Sequence, residues 1–211
     1  MAKFLLVTFA LLGAASVITG VVGAIVYYGG FIDVSADTPH HALVFDLIEE
    51  GRERAIARST RDITPPTDLA DPERVVRGAG NYQAMCVGCH RSPGTPDSEL
   101  RQGLYPAPPD LTKDPIGGMT SGAKSVRRFW VIKHGIKASA MPAWSKGGME
   151  DSAIWDLAAF LDRLPALSPE QYQSMVAASG GHSHSGMTEM GHDHPSSKGH
   201  VDRPGSKPHT H

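Results

Sequence analysis

The sequence predicts an all-α fold with a membrane-spanning helix at its N-terminus. Apolar residues recur at helical spacing in each patterned segment after Pro39, and N-cap residues, prolines and glycines separate these segments. Residues 4–32 contain no charged residue, and about 20 apolar residues suffice to cross a bilayer. The chain has 2 cysteines, both in one pentapeptide, so it has no disulfide framework.

That pentapeptide, Cys86-Val87-Gly88-Cys89-His90, has the pattern C-x-x-C-H. Two thiols at this spacing add to the two vinyl groups of one porphyrin, and the histidine that follows then lies under the iron as its proximal ligand. The motif therefore predicts one covalent haem c, attached through Cys86 and Cys89 and ligated by His90.

Two other uses of the cysteines stay open. A thioredoxin-like dithiol would have the same spacing, but it normally follows a strand, whereas the residues before Cys86 have a helical pattern. A structural zinc site needs four ligands. With only 2 cysteines in the chain, a zinc site would have to be of the Cys2His2 type.

Residues 1–33 are predicted to be a retained membrane anchor. Lys3 precedes the apolar run and favours an orientation with the N-terminus inside, and Tyr27 and Tyr28 are typical of the membrane interface. The alternative is a cleaved signal peptide, whose apolar region would span only about 7–15 residues. Because haem c is attached outside the cytoplasm, we expect a single-pass protein of a bacterial inner membrane with its haem domain in the periplasm.

Residues 34–69 are predicted to form a juxtamembrane helix and a linker. Thr38 and Pro39 fit the N-cap and the first position of a helix. Apolar residues follow at helical spacing: Leu43, Leu47 and Ile48. The proline-rich residues 64–67 then act as the linker.

Residues 70–179 are predicted to form one helical domain. Asp71 and Pro72 fit the N-cap and first position of its first helix, and Asp151 fits the N-cap of a later one. Residues 168–171 have the pattern of a capping box, so they predict the start of one more short helix.

The first helix of this domain resembles that of class I cytochromes c. Gly78 and Tyr82 lie eight and four residues before Cys86. In that family, a glycine and an aromatic residue at these offsets let the first helix cross the last helix closely. The resemblance covers roughly residues 71–165, and it implies a helical domain around one covalent haem. Trp155 is the expected partner at the crossing.

The resemblance also implies roles for two residues after the haem motif. In the family, a proline carbonyl accepts the Nδ1 hydrogen of the proximal histidine, and a leucine two residues later packs on the haem. Pro109 and Leu111 match that spacing. A metal-bound histidine generally needs such a partner for its other ring nitrogen. The alternative is an ordinary proline-rich loop.

Met141 is the expected second ligand of the iron, so that His90 and Met141 would be the two axial ligands. In the family this ligand is usually a methionine from the C-terminal half, and Met141-Pro142-Ala143-Trp144 resembles the pattern of many bacterial members. Other candidates stay open, with Met119 the foremost: Met85, Met119, His134, Met149 and Met175. Since both axial positions would be filled, we expect an electron carrier and not an enzyme.

Residues 115–149 contain six basic residues and no acidic one: Lys124, Arg127, Arg128, Lys133, Lys137 and Lys146. Because they flank the expected distal ligand, they predict docking to a redox partner with an acidic face. A solvated helix face is the alternative. The formal net charge of -2 gives no indication of nucleic-acid binding.

Residues 180–211 are predicted to be a disordered tail that is rich in histidine and methionine. Imidazole and thioether together suit copper. The possible copper ligands are His182, His184, Met187, Met190, His192 and His194. The alternative is a polar tail that binds metal only adventitiously.

The function expected from the sequence is that of a membrane-anchored mono-haem cytochrome c that carries single electrons between respiratory or periplasmic partners. Two alternatives remain open. The protein would be a fixed cytochrome subunit of a dehydrogenase or terminal oxidase complex, which the juxtamembrane helix favours. Otherwise it would be a copper-handling protein with an accessory haem domain.

Overall fold

The computed structural model describes residues 1–185. In this range the elements are all helical, which confirms the predicted all-α fold class. The α-helices are α1 (Ala2–Tyr28), α2 (Ala42–Ser59), α3 (Pro72–Met85), α4 (Val87–His90), α5 (Glu99–Gln102), α6 (Ser121–His134), α7 (Asp151–Arg163) and α8 (Pro169–Ala178). Two short 3-10 helices, Trp144–Gly147 and Leu164–Ala166, precede and follow α7. The predicted disorder of the tail concerns residues that lie mostly outside the described range.

Helix α1 is long and apolar enough to cross a membrane. Its segment Lys3–Tyr28 has a mean hydropathy of 2.3, and none of it is buried inside the molecule. At a rise of about 1.5 Å per residue, a helix of 27 residues exceeds the roughly 30 Å of a hydrocarbon core. The helix is therefore compatible with a single-pass anchor, although a signal sequence would satisfy the same criteria.

Helix α2 begins at Ala42, so the start predicted at Thr38 and Pro39 is wrong. The N-cap is His41, whose Nδ1 accepts a hydrogen bond of 3.3 Å from the backbone N–H of Leu43. Thr38 cannot serve as the cap because its hydroxyl accepts a hydrogen bond from Ser35 in the preceding turn. The predicted helix exists, but a different polar side chain starts it.

Helix α2 is docked on the domain that follows it. The carboxylate of Glu53 accepts two hydrogen bonds, of 2.7 and 3.1 Å, from the guanidinium of Arg127 in α6. Ile56 is buried in the same helix. Just before α2, the backbone N–H of His40 donates to the hydroxyl of Tyr105 at 2.9 Å. These contacts hold the juxtamembrane helix in a fixed position on the domain.

The centre of the domain is the close crossing of α3 and α7. A Cβ on Gly78 would lie 2.1 Å from the carbonyl oxygen of Asp156, so the two backbones approach as only a glycine allows. One turn further, the buried ring of Tyr82 packs against Phe160 with the ring centroids 5.3 Å apart. The crossing expected from Gly78 and Tyr82 is confirmed.

The expected role of Trp155 at this crossing is wrong. Its ring stacks on Phe129 of α6, with 4.1 Å between centroids and an interplanar angle of 11°. Successive residues of an α-helix point about 100° apart, so Asp156 faces α3 while Trp155 faces α6. Trp155 therefore joins the second helix pair of the core.

A buried carboxylate reinforces the crossing. The side chain of Asp156 is fully buried and accepts hydrogen bonds from Arg74 at 2.7 Å and from Arg77 at 2.8 Å. Both arginines belong to α3. Because a buried charge is tolerated only with such partners, this ion pair fixes the orientation of α3 on α7.

Two predicted helix starts have different outcomes. The capping box of α8 is confirmed, since the side chains of Ser168 and Gln171 each bond to the other's backbone N–H. Asp151 is the first residue of α7 and not its N-cap, which is wrong by one position. The N-cap is Glu150, whose backbone N–H donates to the carbonyl of His184 at 2.9 Å.

The chain after α8 folds back on α3. A Cβ on Gly80 would lie 2.3 Å from the carbonyl oxygen of Gly181, and the backbone N–H of Ser183 donates to the buried side chain of Asn81 at 2.9 Å. The boundary predicted between residues 179 and 180 falls before these contacts. The first residues of the predicted tail thus belong to the packed domain.

The crossing predicts the effect of adding one methyl group. Gly78→Ala should lower the free energy of unfolding by about 3 kcal/mol, because the Cβ overlaps the backbone of α7 and neither helix can move freely. The measurement is chemical denaturation followed by circular dichroism.

Gly122→Ala is the matched control, because Gly122 lies in α6 with nothing within 4 Å of a Cβ. It should leave stability unchanged or raise it by up to about 1 kcal/mol. Equal effects of the two substitutions would contradict the close crossing.

Candidate functional site

One helical turn brings the three residues of the haem motif together. Cys86 ends α3 and begins α4, and its carbonyl accepts hydrogen bonds from the N–H groups of Cys89 at 3.1 Å and His90 at 2.8 Å. Residues three and four positions apart lie on one face of a helix. Both cysteines have free thiols and are half-buried. The turn can therefore present two thiols and one imidazole to a single group.

The imidazole of His90 is fixed through its Nδ1. This atom lies 2.9 Å from the carbonyl oxygen of Pro109. Because a carbonyl can only accept, Nδ1 is the donor, and Nε2 keeps the lone pair that a metal needs. Burial lowers the pKa of His90, although the Pro109 carbonyl opposes this. The ring is thus neutral near pH 7, which is the form that ligates iron.

The loop that carries Pro109 is held on both sides. The backbone N–H of Leu111 donates to the carbonyl of His90 at 3.3 Å. Between them in the chain, the carboxylate of Asp110 pairs with the guanidinium of Arg91 at 2.9 Å. Arg91 has a φ of +68°, a conformation that L-residues rarely adopt. We infer that the ion pair helps to hold both the strained residue and the Pro109 carbonyl in place.

Tyr82 has a second role that the sequence did not suggest. Its hydroxyl donates to the carbonyl of Arg91 at 2.6 Å and lies 3.2 Å from that of His90. Burial raises the pKa of Tyr82 far above its usual value, so the hydroxyl stays protonated. The residue that fills the α3–α7 crossing therefore also anchors the turn that carries the histidine.

Met141 lies in a loop clamped to the end of α6. Its carbonyl accepts a hydrogen bond of 3.1 Å from Ile136, and its N–H donates to the hydroxyl of Ser139 at 3.2 Å. Gly135, at φ +65°, ends α6 where a Cβ would lie 2.7 Å from that carbonyl. The side chain of Met141 is half-buried and packs against the core. The loop thus holds this thioether at a defined position.

The other candidates for the distal ligand are in different settings. Met149 is a core residue with an exposed fraction of 3%, and Met175 packs partly against the same core. Met119 is 40% exposed. His134 is exposed at the end of α6 and contacts the ring of Trp130. Met85 contacts His182.

The two elements that carry the proposed ligands also contribute half-buried apolar side chains. They pack against the core on one side and keep exposed surface on the other: Cys86, Val87, Leu111, Met141 and Trp144. An apolar macrocycle that covers such surface would be stabilised by its burial. Together with the free thiols and the oriented His90, these residues fit a covalently attached haem.

The alternative uses of the cysteines find no support in the described part of the chain. Among residues 1–185, no three or more His, Cys, Asp or Glu side chains are grouped so that they could hold a metal ion. Burial raises the pKa of Cys86 to about 12, whereas zinc binding and dithiol redox chemistry both require a thiolate. The motif also follows a helix and not a strand.

Most of the six basic residues expected at a docking face are paired with carboxylates. The pairs are Lys124–Asp114, Arg127–Glu53, Arg128–Asp162 and Lys133–Asp151. Lys137 and Lys146 are exposed, and within residues 1–185 no carboxylate lies within 4.0 Å of either. The unneutralised charge next to Met141 therefore comes from these two lysines.

Two of the six predicted copper ligands are in the described residues. His182 and His184 lie beside the end of α3 with their ring centroids 4.8 Å apart. The other four lie outside the described range: Met187, Met190, His192 and His194.

The comparison with protein families covers the region of these side chains. Residues 73–161, less than half of the chain, match a family described as cytochrome C oxidase, cbb3-type, subunit III. The range includes Cys86, Cys89, His90, Pro109 and Met141. No curated protein and no solved structure matches the chain significantly.

The clamp on the Pro109 loop predicts the effect of removing one charge. Asp110→Asn should lower the free energy of unfolding by about 1.5–3 kcal/mol, because Arg91 loses its anionic partner. It should also speed solvent exchange of the Nδ1 hydrogen of His90, as measured by NMR.

Asp46→Asn, on the exposed surface of α2, is the control and should change neither quantity. Unchanged exchange at His90 in Asp110→Asn would show that the ion pair does not position the Pro109 carbonyl.

Proposed function

We propose, from the premise that this chain is a c-type cytochrome, that it carries single electrons between redox partners at a membrane. When bound, the haem supplies an iron that takes up and releases one electron. Cys86 and Cys89 would hold it covalently, His90 would be the proximal ligand and Met141 the distal ligand. Leu111 would pack against the macrocycle.

The observation that carries this proposal is the hydrogen bond between His90 and Pro109. It leaves Nε2 as the only ring atom able to bind a metal, and it fixes the plane of the ring. A proximal histidine held in this way keeps the same geometry in both oxidation states. The protein around the iron then reorganises little during transfer.

A thioether at the second axial position would close the iron to substrates. Met141 favours this role because its loop is fixed by backbone hydrogen bonds and its side chain stays half-buried. Thioether ligation favours the reduced iron and raises the reduction potential. These properties suit an electron carrier and not an oxygenase or peroxidase, which would need an open position.

The proposed location is the periplasmic face of a bacterial inner membrane. Helix α1 would be the single membrane span, with Lys3 on the inner side. The ion pair between Glu53 and Arg127 supports a domain that is held at the membrane in a defined orientation. Such tethering raises the effective concentration of the haem near membrane-bound partners.

A second candidate is a fixed cytochrome subunit of a terminal oxidase. Two observations favour it: the family that matches residues 73–161 is described as an oxidase subunit, and α2 is docked on the domain. A shuttle would need only a flexible tether. Docking of the juxtamembrane helix would instead fix the distance between haem and membrane.

Partner docking is proposed to use the charge that is left near Met141. Lys137 and Lys146 would attract an acidic face on the partner and speed its encounter. The other four basic residues contribute less to this attraction, because their charges are offset by ion pairs within the chain.

Ligation by Met141 predicts a defined change on its removal. Met141→Ala should leave the haem attached, because Cys86 and Cys89 are unaffected, but it should lower the reduction potential and change the visible spectrum. Spectra and redox titration of the purified full chain measure both effects.

The matched control is Met119→Ala, since Met119 is 40% exposed and lies in another loop. It should change neither the potential nor the spectrum. If instead Met119→Ala lowered the potential and Met141→Ala did not, the assignment of the distal ligand would be reversed.

The docking proposal predicts a local dependence on charge. Lys137→Gln combined with Lys146→Gln should slow electron transfer to the physiological partner several-fold at low ionic strength and flatten its salt dependence. The rates would be measured by stopped flow.

The control combines Arg58→Gln with Arg61→Gln, two exposed arginines near the end of α2 that give the same change in net charge. This variant should keep the rate of the parent chain. Similar slowing by both pairs would indicate a general charge effect and no docking site beside Met141.

The subunit candidate predicts that the chain co-purifies with an oxidase from membranes in mild detergent. Glu53→Gln should reduce the fraction recovered in the complex, because it weakens the docking of α2. Glu50→Gln, on the exposed surface of the same helix, should not. Recovery of the parent chain on its own under these conditions would favour the carrier.

A further inference from the structure

The start of the histidine-rich tail is attached to the haem domain at two points. The backbone N–H of Ser183 donates to the buried side chain of Asn81 in α3 at 2.9 Å. On the other side, the carbonyl of His184 accepts from the N–H of Glu150 at 2.9 Å. Residues 182–184 therefore have a defined position between the end of α3 and the start of α7.

Glycines make this return of the chain possible. Gly180 and Gly181 have φ values of +68° and +95°, which L-residues rarely adopt. Gly80 of α3 leaves room for the carbonyl of Gly181, which a Cβ there would approach to 2.3 Å. The turn brings His182 to the last residue of α3, Met85.

Three soft or borderline donors meet at this point. The Nε2 of His182 lies 3.1 Å from the Sδ of Met85, and the rings of His182 and His184 are 4.8 Å apart in an edge-to-face arrangement. A thioether is only a weak hydrogen-bond acceptor, so the contact itself gives little stability. We propose that Met85, His182 and His184 form a binding site for Cu(I).

The donor set selects the metal. Thioether sulfur binds Cu(I) well, and imidazole also suits copper, whereas calcium and magnesium require oxygen ligands. Nitrogen and sulfur donors lie about 2.0–2.3 Å from a metal of this size, so two ligands of one ion are within about 4 Å of each other. His182 and Met85 already satisfy that condition.

The site is accessible and lies beside the haem attachment. His182 is exposed and His184 half-buried, so an ion can enter from solvent. Met85 directly precedes Cys86. Because bound Cu(I) brings a positive charge next to the attachment turn, it should also raise the reduction potential of the haem. The site stands on the contacts of Met85, His182 and His184, independently of the role proposed for the haem.

The experiment uses the full chain with haem attached, so that neither cysteine is a free thiol. The methionines and histidines beyond residue 185 are replaced by leucine and asparagine, which leaves the proposed site as the remaining part of the tail able to bind copper. Cu(I) is titrated under anaerobic, reducing conditions against a chromophoric Cu(I) chelator. We expect one Cu(I) per chain, with one sulfur ligand detected by X-ray absorption.

Met85→Leu keeps the volume of the side chain and removes the sulfur. It should weaken Cu(I) binding by at least about tenfold and abolish the sulfur signal. His182→Asn and His184→Asn should each weaken binding similarly, and because both residues lie in the tail segment they test the site even if Met85→Leu destabilises α3. Met119→Leu, at an exposed methionine, is the control and should bind as the parent does.

Three outcomes would overturn the proposal. The parent chain would bind no Cu(I), or Met85→Leu would bind it with the affinity of the parent, or bound copper would show no sulfur ligand. A sulfur signal that is lost in Met119→Leu and kept in Met85→Leu would place the site elsewhere.

Discussion

The close crossing of α3 and α7 is the constraint on which the rest of the domain depends. At Gly78 the two helices approach so closely that a Cβ would lie 2.1 Å from the carbonyl oxygen of Asp156. The carboxylate of that residue is buried between Arg74 and Arg77, so the same position also fixes the rotation of α3 about its axis. Since α3 ends at Met85, directly before the haem motif, its placement decides where the motif lies.

From this crossing the constraint passes to the ligands through hydrogen bonds. Tyr82, one turn after Gly78, packs on α7 and donates its hydroxyl to the carbonyl of Arg91. Arg91 pairs with Asp110, and the neighbouring Pro109 accepts from His90. The histidine is thus oriented by residues from α3, α4 and the following loop. Core packing and the preparation of an iron ligand are parts of one network, which is why a change in the core should be felt at the site.

What could be predicted from the sequence was local. The caps at Asp71 and Ser168 depend on residues within three positions, and the C-x-x-C-H motif on five consecutive residues. The contacts that escaped prediction join distant parts of the chain, such as Glu53 with Arg127, 74 residues apart. Trp155 was misplaced because helical spacing shows that a residue faces the core but not which neighbouring helix it meets. For the same reason, a basic stretch in the sequence did not reveal its ion pairs.

The central claim is a six-coordinate haem c that transfers electrons and binds no substrate. The most direct measurement is the visible spectrum of the membrane-purified protein, oxidised and reduced, before and after addition of carbon monoxide. The account predicts a low-spin c-type spectrum that carbon monoxide does not change, with the haem retained through denaturation. Ready binding of carbon monoxide would contradict it, because the sixth position would then be open and the case for catalysis or sensing would return.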